Sequence, residues 1–256
     1  MSKYSDDLVL ALSLADRADE ITSDRFRAVD LAVESKPDMT PVSEADRAVE
    51  KMVAERLATV RPGDQLLGEE YGQSGQTSTR QWHLDPIDGT KNYIRGNPVY
   101  ATLIALFDDD EPAVGVVSAP KLQRRWWAAK GQGAYCNGEP IRVSKVKAMS
   151  DAFFCYGSLN WWKAAGRTEN FETIKDVCWR HRGFGDFWMH MLVAEGAADF
   201  AIEPIDMNPW DLAALQIIIT EAGGTHSDVA GNMSLTTGSL VTSNGLLHQD
   251  ILRLVQ

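Results

Sequence analysis

Acidic residues cluster in a short turn that follows an apolar run. In the segment Trp82–Tyr93, WHLDPIDGTKNY, Asp85 and Asp88 flank a proline and an isoleucine, and Gly89 and Thr90 follow at once. The proline fixes its own φ and the glycine tolerates unusual backbone angles, so the segment favours a sharp, rigid turn. Turn chemistry alone does not call for the second acid or for the threonine.

Further acids are predicted to lie near this turn. Glu69 and Glu70 close a short strand, and Asp211 opens a helix directly after Pro209 and Trp210. Carboxylates gathered at strand ends and at a helix start repel one another unless a cation lies between them. Hard divalent cations such as Mg2+ take oxygen ligands of this kind. Two such ions, bridged by one aspartate, would hold a phosphoryl group for in-line displacement.

The alternative for each acid is an ordinary solvated turn residue or a helix cap. Asp211 in particular has the position of a helix-start acid, which the helix dipole favours. The DPIDGT turn fits this alternative less well than the isolated acids do.

Other hydrolytic chemistries fit the sequence less well. The five histidines form no HExxH motif and no close ligand pair, which argues against zinc. The sequence has no G-x-S-x-G nucleophile elbow and no Walker A motif. Cys136 and Arg142 have the spacing of a cysteine phosphatase. Glu139 and Pro140 between them, however, would place an acid and a missing N–H in the phosphate cradle.

The composition predicts a folded, acidic protein of the cytoplasm. The chain has 256 residues, of which 44% are hydrophobic, enough for a substantial core. A formal net charge of -11 argues against general nucleic-acid binding, which needs basic patches. Three scattered cysteines indicate no disulfide framework. We see neither a signal peptide nor an apolar run of the roughly 18 residues that a membrane span needs.

The pattern of apolar residues predicts an α/β (α+β) protein with two halves. Residues 4–30 read as a first helix whose apolar positions Leu8, Leu12 and Ala15, with Val9 beside them, recur at helical spacing. Residues 33–46 read as a polar, mobile loop. A second helix begins with a Ser43–Asp46 capping box.

Strands predominate from there to about residue 150, and short apolar segments then alternate with helical ones. Residues 1–150 are therefore predicted to form an α+β half that carries most of the candidate metal ligands. Residues 151–256 are predicted to form an α/β half that carries Asp211 and the residues that select the substrate.

Three segments carry a resemblance to a known family. LLGEE at residues 66–70, WHLDPIDGTKNY at 82–93 and PWDLAALQIIITEAGG at 209–224 resemble the signature segments of the inositol-monophosphatase-like family of Mg2+-dependent phosphatases. KPDMTPVSEADRAVE resembles that family's mobile loop and acidic helix, and WWAAKGQGAYCNGEPIRVS resembles its central hairpin. The resemblance covers most of the chain. It implies a layered αβαβα fold that often forms a homodimer.

The resemblance also implies a metal site with two to three Mg2+ ions. The implied ligands are Glu69, Asp85, the Ile87 carbonyl, Asp88 and Asp211. Asp85 would bridge two ions, and Glu70 would reach a third, weaker site through water.

The same resemblance implies the catalytic residues. Asp46 and Thr90, together with Glu69, match the residues that orient and deprotonate the attacking water. The phosphate would lie at a helix start, against the amides of Gly89 and Thr90, with Asp88 and Asp211 beside it. Hydrolysis would follow by direct in-line attack of metal-activated water, without a phosphoenzyme.

Two later segments are expected to contact the non-phosphate part of the substrate. RHRGFGDFWMH and FAIEPID offer Asp186 and Glu203, two carboxylates that suit a cationic leaving group better than a neutral polyol. RGFGDFW resembles the segment found in the histidinol-phosphate phosphatases of this family, so we expect L-histidinol phosphate as substrate and a role in histidine biosynthesis. The alternative for Asp186 is a helix N-cap.

Other residues of these segments have two possible roles. Arg182 either helps to hold the phosphate or only braces its loop. Phe187 or Trp188 either stacks on a substrate ring or belongs to the core.

Three rival functions remain open from the sequence. The nearest is another phosphatase of the same family, acting on an inositol, fructose-bisphosphate or nucleotide-bisphosphate ester. A second is a non-catalytic regulator that binds RNA or protein through this fold, which the intact acid set and the acidic composition oppose. A third is a metal-binding protein without catalysis, which leaves Asp46 and Thr90 unexplained.

Overall fold

The computed structural model describes residues 3–36 and 40–256. The helices are α1 Ser5–Arg25, α2 Glu44–Val60, α3 Thr90–Ile94, α4 Leu159–Ala164, α5 Thr168–Val177, α6 Asp186–Ala194, α7 Pro209–Glu221 and α8 His248–Val255. The strands of the first half are β1 Val33–Ser35, β2 Pro41–Ser43, β3 Gln65–Gly68, β4 Gly72–Ser74, β5 Arg80–Asp88, β6 Ala101–Asp108, β7 Glu111–Ala119, β8 Arg124–Ala129, β9 Ala134–Cys136 and β10 Glu139–Ile141. Those of the second half are β11 Phe153–Tyr156, β12 Arg180–Gly183, β13 Phe200–Glu203, β14 Thr225–Ser227 and β15 Leu240–Ser243.

Two large sheets organise the molecule. The first has eight strands in the order β10-β9-β8-β7-β6-β5-β3-β4, and β3 pairs with β5 in parallel while the other pairs are antiparallel. The second has five strands in the order β12-β11-β13-β15-β14. β1 and β2 form a separate antiparallel pair just before α2.

Helices and sheets alternate in five layers. α1 and α2 pack on one face of the eight-stranded sheet, and α7 packs on its other face against β5–β8. α6 contacts α7 on one side and β13 and β15 on the other, so these two helices lie between the sheets. α5 and α8 pack together and share an apolar cluster with the five-stranded sheet. This arrangement confirms the predicted mixed α/β, layered architecture.

The central layer is apolar on all sides because both sheets cover it. Leu212 and Ile218 of α7 are fully buried in one cluster with Leu103 of the first sheet and Ala201 of the second. The division of the chain near Ser150 therefore stays a prediction, since residues from both sides of it share a core. Among the described residues, no helix combines the length and apolarity that crossing a membrane requires.

The N-terminal predictions need two corrections. The first helix ends at Arg25, five residues earlier than predicted, and Val9 is 66% exposed while Leu10 and Leu14 are buried. The predicted loop 33–46 contains the β1–β2 pair and the first turn of α2. Residues 37–39 of that loop, to which its predicted mobility also applied, lie outside the described residues.

A glycine sets the distance between α7 and the first sheet. A Cβ added at Gly115 of β7 would lie 2.3 Å from Cγ2 of Ile217 and 2.9 Å from the Ala214 carbonyl oxygen. The helix must therefore move or the side chains must repack when any larger residue stands there.

We predict that Gly115→Ala lowers the free energy of unfolding by about 1–3 kcal/mol through overpacking. Gly63→Ala is the matched control, because a Cβ at that position meets nothing within 4 Å. Urea unfolding of both variants measures the difference. Equal stability of the two variants would contradict the close approach of α7 to β7.

Candidate active site

A β-bulge brings two acids of β5 to one side. The pairing of β5 with β6 shifts between Asp85 and Asp88, so three residue steps of β5 match two of β6. Residues three apart in a regular strand point to opposite faces, and the extra residue brings these two carboxylates to the same face. The Thr102 hydroxyl donates a hydrogen bond to the Pro86 carbonyl at 2.8 Å, which holds the bulge.

The turn after β5 places Thr90 beside Asp46. Gly89 has a φ of 86°, and a Cβ there would lie 3.0 Å from the Val99 carbonyl oxygen, so this position favours glycine. The hydroxyl oxygen of Thr90 lies 3.0 Å from the Ile87 carbonyl oxygen and 3.4 Å from Oδ1 of Asp46. The structure thus brings together the pair expected to orient water.

Asp46 is oriented by the start of α2. Its Oδ2 accepts hydrogen bonds from the backbone N–H of Ser43 at 2.9 Å and from the Ser43 hydroxyl at 2.5 Å. The predicted capping box is therefore confirmed. Burial raises the pKa of Asp46 to about 6, although the two Ser43 bonds act in the opposite direction. With Oδ2 held by Ser43, Oδ1 faces Thr90.

A third glutamate holds the turn that carries Glu69 and Glu70. Buried Glu50 of α2 accepts the N–H of Glu70 at 2.8 Å and that of Tyr71 at 2.9 Å. A Cβ at Gly68 would lie 2.1 Å from Oε1 of Glu50, so glycine alone leaves room for this carboxylate. The sequence reasoning missed Glu50. The feature of the sequence that could have indicated Glu50 is an acidic residue on the buried face of an amphipathic helix.

Lys36 lies between the paired glutamates. Its Nζ is 2.7 Å from Oε1 of Glu69 and 2.7 Å from Oε1 of Glu70. Burial raises the pKa of Glu70 to about 7, and the ion pair with Lys36 offsets part of this rise. One cation of the chain itself therefore compensates some of the negative charge here. The sequence reasoning gave Lys36 no role.

Asp211 reaches the site from the first turn of α7. Its Oδ2 accepts the N–H of Asn208 at 2.7 Å in a second capping box, so Asp211 is a helix-start acid and a site residue at once. One oxygen each of Asp85, Asp88 and Asp211 lie within 4.8 Å of one another, and this is the only such group of possible ligands in the described part of the chain.

Burial and mutual repulsion raise the pKa values of this cluster. For Asp85, burial acts most strongly, followed by the charges of Glu69, Asp88 and Asp211, and its pKa lies well above the ordinary value. Burial also raises the pKa of Asp88 well above its ordinary value, and the charge of Asp186 is the next largest cause of the rise. Burial raises the pKa of Asp211 to about 7.

The cluster fits a hard divalent cation. Asp85 is only 2% exposed, and its buried Oδ1 has no hydrogen-bond partner within residues 3–36 and 40–256. The three aspartates offer only oxygen, the ligand type that Mg2+ prefers. A cation between them would relieve the repulsion that raises their pKa values.

A cavity of about 590 Å³ opens over these acids, within the size range of small-molecule sites. The predicted site residues that line it are Glu69, Asp85, Ile87, Asp88, Gly89, Thr90, Asp186 and Asp211. Lys91 and Asn92 of α3 also line it.

Asp186 faces this cavity and does not cap its helix. Its side chain makes no capping bond in α6, and its Oδ2 accepts a hydrogen bond from Nδ2 of Asn92 at 2.9 Å. The cap comes from Asp88, whose Oδ2 accepts the Phe187 N–H at 2.6 Å. The alternative of an N-cap for Asp186 is therefore wrong. Burial raises the pKa of Asp186 to about 6, against the effects of Asn92 and Lys91.

Glu203 lies deeper, in a side pocket of the same cavity. This pocket of about 70 Å³ is also lined by Asp88, Asp186 and Asp211. Glu203 is 1% exposed, and neither carboxylate oxygen has a hydrogen-bond partner among the described residues. Burial, and next the charge of Asp186, raise its pKa well above the ordinary value. Gly157 makes room for it, because a Cβ there would lie 2.0 Å from Oε1 of Glu203.

The structure does not bring every predicted residue to the cavity. Arg182 is exposed and donates to the His181 carbonyl at 2.7 Å, outside the lining of the cavity, which agrees with the loop-bracing alternative. Phe187 is 1% exposed and belongs to the core, although it also lines the side pocket beside Glu203. Trp188 packs against that core. The aromatic residues that line the cavity are Trp161, Phe184 and Trp210. Phe184 belongs to the segment expected to contact the substrate, whereas no role is predicted for Trp161 from the sequence.

The cysteine-phosphatase alternative is also unsupported. Cys136 is 5% exposed, and burial raises the pKa of its thiol above the usual value. A buried, protonated thiol is a poor nucleophile.

Comparison with known proteins agrees with this geometry. The family model described as the inositol monophosphatase family matches residues 4–256. The chain belongs to this family. The resemblance carried by the three signature segments is thereby confirmed.

Within the inositol monophosphatase family, this chain is similar to several individual proteins. It is 52% identical over 252 residues to a histidinol-phosphatase of Mycobacterium tuberculosis, with 96% of each chain covered. It is 50% identical over 261 residues to a histidinol-phosphatase of Streptomyces coelicolor, with 98% of this chain and 97% of the relative covered. The solved structure of an inositol monophosphatase from Zymomonas mobilis has a TM-score of 0.88 at 32% identity, with 100% and 99% covered.

We predict that Mg2+ raises the Tm more at pH 7.5 than at pH 5.5. Folding raises the pKa values of Asp85, Asp88 and Asp211, so the folded state binds more protons than the unfolded state. Without metal, this contribution to stability is lost as the pH rises through the folded pKa values. Mg2+ at a hundredfold excess over its Kd adds about 2.7 kcal/mol, or roughly 5–10 °C for a chain of this size.

Thermal unfolding with and without Mg2+ at each pH measures this effect, and other titrating groups largely cancel in the difference. Asp85→Asn should lose most of the rise, whereas Asp24→Asn, an exposed acid outside the site, should keep it. An equal rise at both pH values, or a full rise in Asp85→Asn, would contradict the metal site.

Proposed function

We propose that this chain is a Mg2+-dependent phosphomonoesterase that hydrolyses L-histidinol phosphate to L-histidinol and phosphate, a step of histidine biosynthesis. The two relatives with about half of their residues identical to this chain are both named histidinol-phosphatase. Their alignments cover nearly the whole of both chains, so no large part of the fold is missing from the comparison.

The observation that carries this proposal is the pair of buried acids beside Asp88. Asp186 and Glu203 line one side pocket, and burial raises both pKa values, with the charge of Asp186 adding to the rise at Glu203. L-Histidinol phosphate carries an ammonium group and an imidazole ring on the leaving-group side of its ester. A charge-assisted hydrogen bond from either group would contribute roughly 1.5–3 kcal/mol.

Trp161 supports the same assignment. It lines both the main cavity and the side pocket, and Asp186 lines both as well, while Glu203 shares only the side pocket. An aromatic face of this kind attracts cations and flat rings. A polyol such as inositol would gain neither contact.

The proposed metal ligands are Glu69, Asp85, the Ile87 carbonyl, Asp88 and Asp211, for two to three Mg2+ ions, with Glu70 contributing through water to the weakest. Bound Mg2+ would supply positive charge for the phosphoryl and leaving oxygens and would lower the pKa of the attacking water. Lys36, now paired with Glu69, would have to yield that carboxylate or share it.

Asp46 and Thr90 are proposed to move the proton of the attacking water. The Thr90 hydroxyl can donate to Oδ1 of Asp46 while it accepts a proton from a water on its other side. The new bond forms between the water oxygen and phosphorus as the ester bond to the alcohol oxygen breaks. The proton of the water passes through Thr90 to Asp46, and the leaving alkoxide takes a proton from solvent.

The phosphate is proposed to lie against the backbone amides of Gly89 and Thr90. The left-handed conformation of Gly89 turns the chain into α3 at this point. Lys91 lines the same cavity and adds positive charge. We propose no phosphate contact for Arg182, given its position outside the lining.

We also propose a cytoplasmic homodimer. The outermost strand β12 of the five-stranded sheet leaves one edge unpaired in the described chain, and Trp179 just before it is 67% exposed and offers an apolar contact to a second copy. The mass in solution tests this, and a monomer would contradict it.

We predict that the protein with Mg2+ has a higher kcat/KM for L-histidinol phosphate than for myo-inositol 1-phosphate or glycerol phosphate. Asp186→Asn should lower kcat/KM for L-histidinol phosphate by roughly 10- to 100-fold, which corresponds to the loss of one charge-assisted contact. The same variant should change kcat/KM for glycerol phosphate only slightly. Phosphate release measures all of these rates.

Asp24→Asn controls for the change in net charge and should leave both substrates unaffected. A higher kcat/KM for myo-inositol 1-phosphate than for L-histidinol phosphate would contradict the proposed substrate. If Asp186→Asn lowered kcat/KM equally for L-histidinol phosphate and glycerol phosphate, Asp186 would have no role in recognising the leaving group.

A further inference from the structure

Asp186, the first residue of α6, has a backbone conformation that is uncommon for any residue with a Cβ. Its φ is 50°, in the left-handed region, and Gly185 before it has a φ of 70°. A side chain crowds the backbone in this region, so the conformation is disfavoured. Such conformations persist where neighbouring contacts hold them, and they cluster at functional sites. The contacts around Asp186 therefore indicate what its conformation serves.

The start of α6 does not need the Asp186 side chain. The Phe187 N–H is accepted by Asp88, and Asp186 makes no capping bond of its own. The Asp186 carboxylate is instead half-buried and lines both the active-site cavity and its side pocket. The left-handed backbone thus serves the direction of this side chain, since the helix cap comes from elsewhere.

An amide of α3 holds the carboxylate in that direction. Nδ2 of Asn92 donates to the Val99 carbonyl at 2.9 Å and to Oδ2 of Asp186 at 2.9 Å. Oδ1 of Asn92 accepts a hydrogen bond from Nδ2 of Asn97 at 3.1 Å. An amide turned the other way would set its oxygen against two acceptors, so these bonds fix the donor toward Asp186. Oδ2 of Asp186 is thereby bound, and Oδ1 is left for a ligand.

Asn92 opposes the repulsion that acts on this carboxylate. Asp186 and Asp88 repel each other, and so do Asp186 and Glu203. A carboxylate on a mobile side chain would turn away from these two charges and out of the side pocket. The hydrogen bond from Asn92 keeps it beside them.

The Asn92–Asp186 pair lies next to the proposed phosphate position. A Cβ added at Gly89 would lie 3.5 Å from Nδ2 of Asn92 and 3.5 Å from Oδ2 of Asp186. The Gly89 amide is one of the two proposed to bind phosphate. A carboxylate fixed this close to the phosphate faces the first atoms of the leaving group.

We infer that Asn92 is a positioning residue for substrate selection, which holds the Asp186 carboxylate, on a disfavoured backbone, toward a cationic leaving group. This inference rests on the proposed function and adds to it a residue that acts through Asp186. It also implies that the chain gives up some stability at position 186 for selectivity.

A double-mutant cycle of Asn92→Leu and Asp186→Asn tests the positioning role. The quantity compared is the ratio of kcat/KM for L-histidinol phosphate to kcat/KM for glycerol phosphate, which carries no cation. Leucine has nearly the shape of asparagine and donates no hydrogen bond. Asn92→Ala, which also removes the donor, takes its place in the cycle if Asn92→Leu does not fold. Asn170→Leu on α5 is the matched control, because Nδ2 of Asn170 also donates to a backbone carbonyl, that of Leu254, at 2.9 Å.

We expect Asn92→Leu to lower this ratio about tenfold in the wild-type background. In the Asp186→Asn background, the same change should lower the ratio less than about twofold, because the carboxylate that Asn92 positions is already gone. Asn170→Leu should keep the wild-type ratio. A purely structural role of Asn92 would lower the rates for both esters together and leave the ratio unchanged.

Two kinetic results would overturn the inference alone. One is a high wild-type ratio that Asn92→Leu leaves unchanged, and the other is an equal fall of the ratio in both backgrounds, which would mean that Asn92 does not act through Asp186. A wild-type ratio below one would contradict the proposed function and this inference with it.

Thermal unfolding tests the backbone conformation without any substrate. Asp186→Gly and Asp186→Ala both remove the carboxylate, and only glycine adopts a positive φ freely. We expect the Tm of Asp186→Gly to exceed that of Asp186→Ala by about 2–4 °C. In an ordinary helical position alanine is the more stabilising of the two. An equal or higher Tm for Asp186→Ala would therefore overturn the stability cost assigned to Asp186.

Discussion

Repulsion between buried carboxylates is the constraint on which the rest of the site depends. The buried and half-buried acids around the active-site cavity and its side pocket are Glu69, Asp85, Asp88, Asp186, Glu203 and Asp211, and exposed Asp206 also lines the side pocket. Removing such charges from water is costly unless opposite charge lies close by. Lys36 supplies one such charge from the chain. In the proposed enzyme, Mg2+ compensates the aspartate cluster and the cationic leaving group compensates Asp186 and Glu203.

The fold tolerates this repulsion because the same carboxylates also end or begin its elements. Asp46 caps α2, Asp88 caps α6 and Asp211 caps α7. Each cap fixes one oxygen of its carboxylate on backbone N–H groups and leaves the other oxygen to face the site. The bulge in β5 and the close packing of α7 on β7 then fix how far apart these caps lie. The same contacts therefore determine both the stability of the middle layer and the geometry of the site.

Many of the helix caps and site residues were predictable from the sequence. The capping box at Ser43–Asp46, the acidic turn after β5 and the aspartate at the start of α7 each leave a local signature in the sequence. The contacts of Glu50 with the turn after β3 and of Asp88 with α6 do not, because they join segments twenty and ninety-nine residues apart. The same reason explains the wrong N-cap for Asp186 and the missed Trp161. The local pattern shows which residue starts a helix. Only tertiary packing shows which side chain accepts the free N–H groups at that helix start.

The most direct test of the account is the position of a bound metal. Anomalous diffraction from crystals grown with Mn2+, an electron-dense ion that also prefers oxygen ligands, locates the ions without reference to activity. The account predicts an anomalous peak in contact with carboxylate oxygens of Asp85, Asp88 and Asp211 together. A fully active protein with no peak between these three aspartates would contradict it.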